Sequence, residues 1–159
     1  MVIQVKDMMN TAVIPVSPEI GLDVLESELS QYSISGAPVV ENNKVVGVVS
    51  FSDIVKQLNI EHTYALTAYD YYEGPYITHG SEDETNQLGS FVGHRLEHLT
   101  VRDIMHHVIK SVLPDQTVKD AADMMFEHKV HRLLVIDENG KLMGIVSSMD
   151  FVKLYSSQH

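Results

Sequence analysis

A chain of 159 residues, 44% hydrophobic and 21% charged, has the composition of a soluble globular protein and the length for one compact domain or two small units sharing a core. Its 22 acids against 11 lysines and arginines leave a net charge of −11, which argues against nonspecific binding to nucleic acid or to an anionic membrane. The absence of cysteine excludes disulfides and thiolate metal sites and fits a reducing compartment.

No apolar run approaches the roughly 20 residues that span a bilayer. The opening "MVIQVKDMMN" lacks the basic and long apolar regions of a secretory signal, so the expected location is cytoplasmic. The charge is unevenly spread. Residues 59–100 hold 7 acids against Arg95 alone, whereas residues 101–159 hold 8 acids, 7 bases and the histidines 106, 107, 128 and 131. An anionic ligand is least repelled by the last third.

In chain order, a short apolar stretch (Ala12–Val16) reads as a strand and is followed by Pro18. Leu22, Leu25 and Leu29 then recur at helical spacing. "APVVENNKVVGVVS" (37–50) reads as two strands joined by an Asn turn, and a short helix is expected to start near Ser52. The middle, 59–100, is Tyr-rich up to turn chemistry at Gly74-Pro75 and Gly80. Leu88, Phe91, Val92, Leu96 and Leu99 then predict a helix over about 82–98. The earlier series now returns: an apolar stretch (Val108–Val112), a helical period (Val118, Ala121, Ala122, Met125), two strands in "LLVIDENGKLMGIVS" (133–147) and a helix from near Ser148.

The return is a tandem repeat. Residues 5–58 align with 101–155 with one gap, opposite Gly140. Val5/Val101, Asp7/Asp103, Met9/Met105, Val16/Val112, Pro18/Pro114, Val39/Val135, Gly47/Gly144, Ser50/Ser147, Asp53/Asp150 and Lys56/Lys153 match. The expected organisation is copy 1 at 1–58, a linker insertion at 59–100 and copy 2 at 101–159. Each copy of about 50 residues reads β-α-β-β-α and is too small for a full core of its own. The fold class is therefore α/β (α+β): two such units packed sheet to sheet with pseudo-twofold symmetry.

These residues resemble the CBS domain (the cystathionine β-synthase motif), and the whole chain resembles one tandem CBS pair, or Bateman module. The resemblance covers 5–58 and 101–155, with "VRDIM…VLPDQTVKDAADMM…VHRLLVIDENGKLMGIVSSMD" the closer match. It implies adenosine ligands (AMP, ADP, ATP or S-adenosylmethionine) in clefts between the units, a disc-like dimer, and a regulatory role over an enzyme or transporter.

Ser50/Asp53 and Ser147/Asp150 match the family's Ser/Thr-x-x-Asp signature, with Ser52 and Met149 inside it. A carboxylate held at a helix start can accept both hydroxyls of a ribose. The helix N-terminus beside it suits phosphate. By the same resemblance, adenine lies against Thr11, Ala12, Val13, Ile34, Gly36, Ala37 and Pro38 in copy 1, and against His107, Val108, Ile109, Val130, Arg132 and Leu133 in copy 2. Arg132 is implied to reach a phosphate. Leu134 departs from the Pro usual in the family, on the base side of the second pocket.

Plainer readings stand beside these. Ser and Asp at a helix start also make an ordinary cap, Arg132 also reads as a solvated strand-edge residue, and the tyrosines read as packing. The histidines show no ligand spacing for a metal and read better as a protonatable, phosphate-facing patch. The expected function is an adenine-nucleotide-sensing regulator of an unidentified partner protein. The alternatives are a structural interaction module without nucleotide, or an S-adenosylmethionine sensor. No catalytic residue, Gly-rich phosphate loop or catalytic cofactor is expected. The closing helices "DIVKQL" and "DFVKLY" are expected to form a homodimer surface.

Overall fold

The computed structural model describes residues 2–73 and 92–157. After a 3-10 turn at Val5–Asp7 come α1 (Leu22–Gln31), β1 (Gly36–Glu41), β2 (Lys44–Ser50) and α2 (Phe51–Glu73). Residues 92–96 are helical (α3). Then follow α4 (Val101–Ile104), β3 (Ser111–Val112), α5 (Val118–His128), β4 (Arg132–Ile136), β5 (Leu142–Ser147) and α6 (Ser148–Ser157). Strands β1 and β2 form one sheet and β3-β4-β5 another. Helices and two small sheets give the mixed α/β class expected.

Local chemistry explains the boundaries. Helix α5 starts at Thr117, whose backbone N–H and hydroxyl donate to Asp120 Oδ2 at 2.9 and 2.6 Å while its Oγ1 accepts from the Asp120 N–H. This is a complete capping box, and it satisfies donors that a helix start leaves open. The β1–β2 turn places Asn42 and Asn43 at φ 49° and 64°, the left-handed pair that a two-residue hairpin needs.

Two expectations are corrected. The leading strands are shorter than Ala12–Val16 and Val108–Val112. In copy 1 only Val16 pairs, donating to Pro38 O and accepting from the Val40 N–H, because Pro15 has no N–H to extend the ladder. In copy 2, β3 contributes Ser111 and Val112, pairing in parallel with Leu134 and Val135. The second correction concerns α2, which runs 23 residues rather than ending near 58. No glycine or proline interrupts it before Gly74-Pro75. Of the helix expected at 82–98, residues 92–96 are helical, while 82–91, with Tyr76 and the turns at Gly74-Pro75 and Gly80, lie outside the described residues.

The chain forms two compact units, and neither follows one copy. Unit 1 is Met1–Val16, Ala37–Val48 and His106–His159; unit 2 is Ser17–Gly36 and Val49–Met105. In unit 1, Val5 joins the buried cluster of Val112, Ala121, Met125, Leu133, Val135 and Val146. In unit 2, Leu22, Leu25, Leu29, Val49, Val101 and Met105 are buried.

Hydrogen bonds show how the copies exchange their leading turns. In unit 1 the Val5 and Lys6 N–H groups donate to Gln116 O and Pro114 O; in unit 2 the equivalent Val101 and Arg102 donate to Ile20 O and Pro18 O. Lys6 pairs with Asp115 and, at the equivalent place, Arg102 with Glu19. Asn10 bridges Ile145 just as His106 bridges Val48. Each of these contacts made by copy 1 on copy 2 has its equivalent made by copy 2 on copy 1.

Candidate functional site

The two Ser-x-x-Asp segments fold identically. Strand β5 runs directly into α6, and the Ser147 N–H and hydroxyl donate to Asp150 Oδ2 at 2.8 and 2.7 Å. Strand β2 runs into α2, and Ser50 donates to Asp53 Oδ2 in the same way at 2.8 and 2.8 Å. The next residue closes each turn: Ser148 N–H donates to His131 O and Phe51 N–H to Ser35 O, both at 3.0 Å. Lysines three residues on, Lys153 and Lys56, lie 4.0 Å from Oδ1 of their aspartates. Asp53 is buried at 6% exposure and Asp150 is half-buried. The capping reading is thus realised in both copies, on Oδ2. A carboxylate has about four lone-pair positions, so a cap does not exhaust its capacity to accept hydroxyls.

The copy 2 set lies within unit 1. Arg132 stands directly across the β4–β5 ladder from Ser147, and its side chain is exposed. That puts a guanidinium-bearing residue beside the start of α6. His107 and Val108 are exposed on the segment leading to β3, with Ile109 half-buried. Met149 is exposed on the first turn of α6. Leu133 is fully buried, and Val130 packs against the same cluster, so these two side chains serve the core. Lys110 Nζ lies 3.4 Å from His128 Nδ1, adding two basic side chains at the end of α5. Sequence reading had not singled out Lys110; its only signal was a base at the place where copy 1 has Ile14.

The copy 1 set divides. Thr11, Ala12, Val13, Ala37 and Pro38 belong to unit 1; Ile34, Gly36, Ser50, Ser52 and Asp53 belong to unit 2. In unit 1, Ala12 N–H is held by Asn10 Oδ1 at 2.9 Å. Thr11 and Val13 line a cavity of about 240 Å3 together with Asn43, Lys141 and Met143, which sequence reading missed. These come from hairpins remote in sequence, so no local pattern pointed to them. In unit 2, Ser52 Oγ lies 2.8 Å from Ser50 Oγ. Gly36 is the copy 1 equivalent of Arg132, and a Cβ there would fall 2.8 Å from the Val49 carbonyl oxygen. The backbone closes on this glycine, so the two copies differ at this position in kind: one is bare, the other cationic.

Among the described residues no group of three or more His, Asp or Glu side chains is placed to hold a metal ion. Nor, among them, is any helix long and apolar enough to cross a membrane.

Comparison with known proteins agrees with this architecture. The family model described as the CBS domain matches residues 5–60 and 101–157. An uncharacterised protein of Methanocaldococcus jannaschii is 32% identical over 160 residues, covering 94% of this chain and 89% of its own length. Among solved structures, CBSX2 in complex with AMP superposes with a TM-score of 0.69 at 24% identity, covering 98% of each chain. The CBS domain pair of protein MJ0100, in complex with 5′-methylthioadenosine and S-adenosyl-L-methionine, gives a TM-score of 0.66 at 19% identity over the full length of both. At these identities the superpositions show the fold.

Proposed function

The chain belongs to the CBS domain family, and from that membership we propose that it is a regulatory module that senses an adenine nucleotide (AMP, ADP or ATP) and modulates a partner protein. The observation that carries this reading is the duplicated Ser-x-x-Asp cap. Two aspartates are held at helix starts by the same pair of serine hydrogen bonds, 97 positions apart. A cap needs no such duplication with a matching lysine. A ribose diol needs a fixed carboxylate, and a phosphate is suited by the partial positive charge of the helix start. Support also comes from relatives of the same fold, whose structures carry AMP in one case and adenosine-containing sulfur compounds in the other.

Copy 2 is the better host for a charged ligand. His107, Lys110, His128, His131 and Arg132 stand where copy 1 has Thr11, Ile14, Tyr32, Ser35 and Gly36. In a chain of net charge −11, that local reversal favours di- and triphosphates at Asp150. We assign Thr11, Ala12, Val13, Ala37 and Pro38 in copy 1, and His107, Val108 and Ile109 in copy 2, to the adenine side, and no catalytic role to any residue. The linker between the copies and a homodimer face on the closing helices are the parts left for a partner.

Isothermal titration calorimetry of the full chain with AMP, ADP, ATP and S-adenosylmethionine tests the reading. Saturable binding of an adenine nucleotide, weakened in Asp150→Ala, supports it. Absence of heat from all four would leave a structural interaction module, and binding of S-adenosylmethionine alone would make it a sensor of that compound.

A further inference from the structure

Among the described residues, the buried charged side chains are Asp53 and Glu61, and both are on α2. They lie eight residues apart, about 12 Å along the helix, with Gln57 between them at i+4 on the same side. Gln57 Nε2 donates to Glu61 Oε1 at 2.9 Å. Arg95, on α3, donates its Nε–H to Glu61 Oε2, and its guanidinium lies 4.4 Å from the centre of the Tyr64 ring. Glu61 is 4% exposed. A carboxylate taken out of water is costly unless its partner stays in place, so Arg95 holds residues 92–98 to the helix. Among the described residues copy 2 has no buried charged side chain on α6, which is described to Ser157 against the 23 residues of α2.

From these contacts we infer that α2 is a coupling rod: a nucleotide at Asp53 tightens the Glu61–Arg95 clasp and orders residues 92–98 on the helix. The inference rests on the nucleotide reading of Asp53. Its physical basis is the continuity of one unbroken helix, capped at its first turn by Asp53 and clasped two turns later by Arg95. A ligand that adds hydrogen bonds to the Asp53 carboxylate restrains the first turn of α2. A restrained helix holds Glu61 in the position that Arg95 requires, so the clasp gives up less conformational entropy when it closes. Binding linkage makes the effect reciprocal: releasing the clasp must weaken the nucleotide. Arg95 is a positioning residue, and the segment it holds is the part of the chain that matches neither copy.

Hydrogen exchange by mass spectrometry on the full chain, with and without saturating AMP, ATP or S-adenosylmethionine, tests it. The expected result is slower amide exchange across 92–98 with ligand, lost in Asp53→Ala and kept in Asp150→Ala. Arg95→Ala should weaken nucleotide binding at the Asp53-dependent site about fivefold, the low end of measured couplings. Arg95→Lys should recover part of that loss. If a nucleotide binds and Asp53→Ala weakens it, yet exchange over 92–98 is unchanged, the coupling is overturned while the functional reading stands. Binding indifferent to Asp53→Ala also overturns it. If none of the three compounds binds, the functional reading fails and the coupling fails with it.

Discussion

Asp150 accepts the Ser147 N–H and hydroxyl on one oxygen, and the other faces Lys153 across 4.0 Å. The same carboxylate is thus a helix cap and a candidate ribose acceptor, and the two roles separate by experiment. Asp150→Ala should cost about 0.5–2 kcal/mol of stability through the lost cap, read from urea denaturation. It should also remove most ribose-dependent binding at copy 2, a loss beyond what stability explains. Arg132, across the ladder from Ser147, should discriminate by charge. Charge-assisted hydrogen bonds are worth about 1.5–3 kcal/mol, so Arg132→Ala should weaken ATP by roughly 10- to 150-fold. Adenosine should change little; equal losses for adenosine and ATP would end the phosphate assignment. Asp53→Ala, in the copy with glycine at the Arg132 place, should weaken adenosine and ATP to a similar degree.

At the scale of elements, the Thr117 cap makes α5 sensitive to acid. Hydrogen bonds from the Thr117 hydroxyl and N–H hold the Asp120 carboxyl below the usual carboxylate range. A group whose pKa is lower when folded contributes stability above its unfolded pKa and loses it as pH falls through the folded value. Thr117→Ala should therefore lower Tm at neutral pH, and the difference from the parent should shrink in acid, with thermal melts across pH 2–7 as the check. The closing helices carry a second expectation. Val55 and Leu58 on α2 have Val152 and Tyr155 as their equivalents on α6, and all four are exposed, from 40% to 68%. Such matched apolar faces suit a homodimer, so light scattering at micromolar concentration should give twice the chain mass of 17.8 kDa. Added salt should strengthen the dimer by screening the repulsion between two chains of net charge −11. A monomer mass at every salt concentration would rule it out.

For the whole molecule, the reciprocal exchange of leading turns predicts that one glycine matters far beyond its strand. Asn10 exchanges two backbone hydrogen bonds with Ile145, and a Cβ on neighbouring Gly144 would fall 2.8 Å from the Asn10 carbonyl oxygen. Gly144→Ala should destabilise the fold by about 1–3 kcal/mol and speed exchange in residues 2–10 as well as in β5. What the sequence determined by itself is what lies within a few residues or recurs between the copies: the tandem repeat, the α/β class and the Ser-x-x-Asp caps. Those caps close over three residues, and no distant chain is needed to form them. Only the tertiary structure decided that Val5 is buried in copy 2's core, that Leu133 serves the core, that Lys141 meets Thr11 in one cavity, and that Glu61 is clasped by Arg95. Each of these depends on which remote stretches of backbone meet. A periodicity shows that a side chain is to be buried, but its partner is set by packing, where hydrophobic burial carries no address of its own.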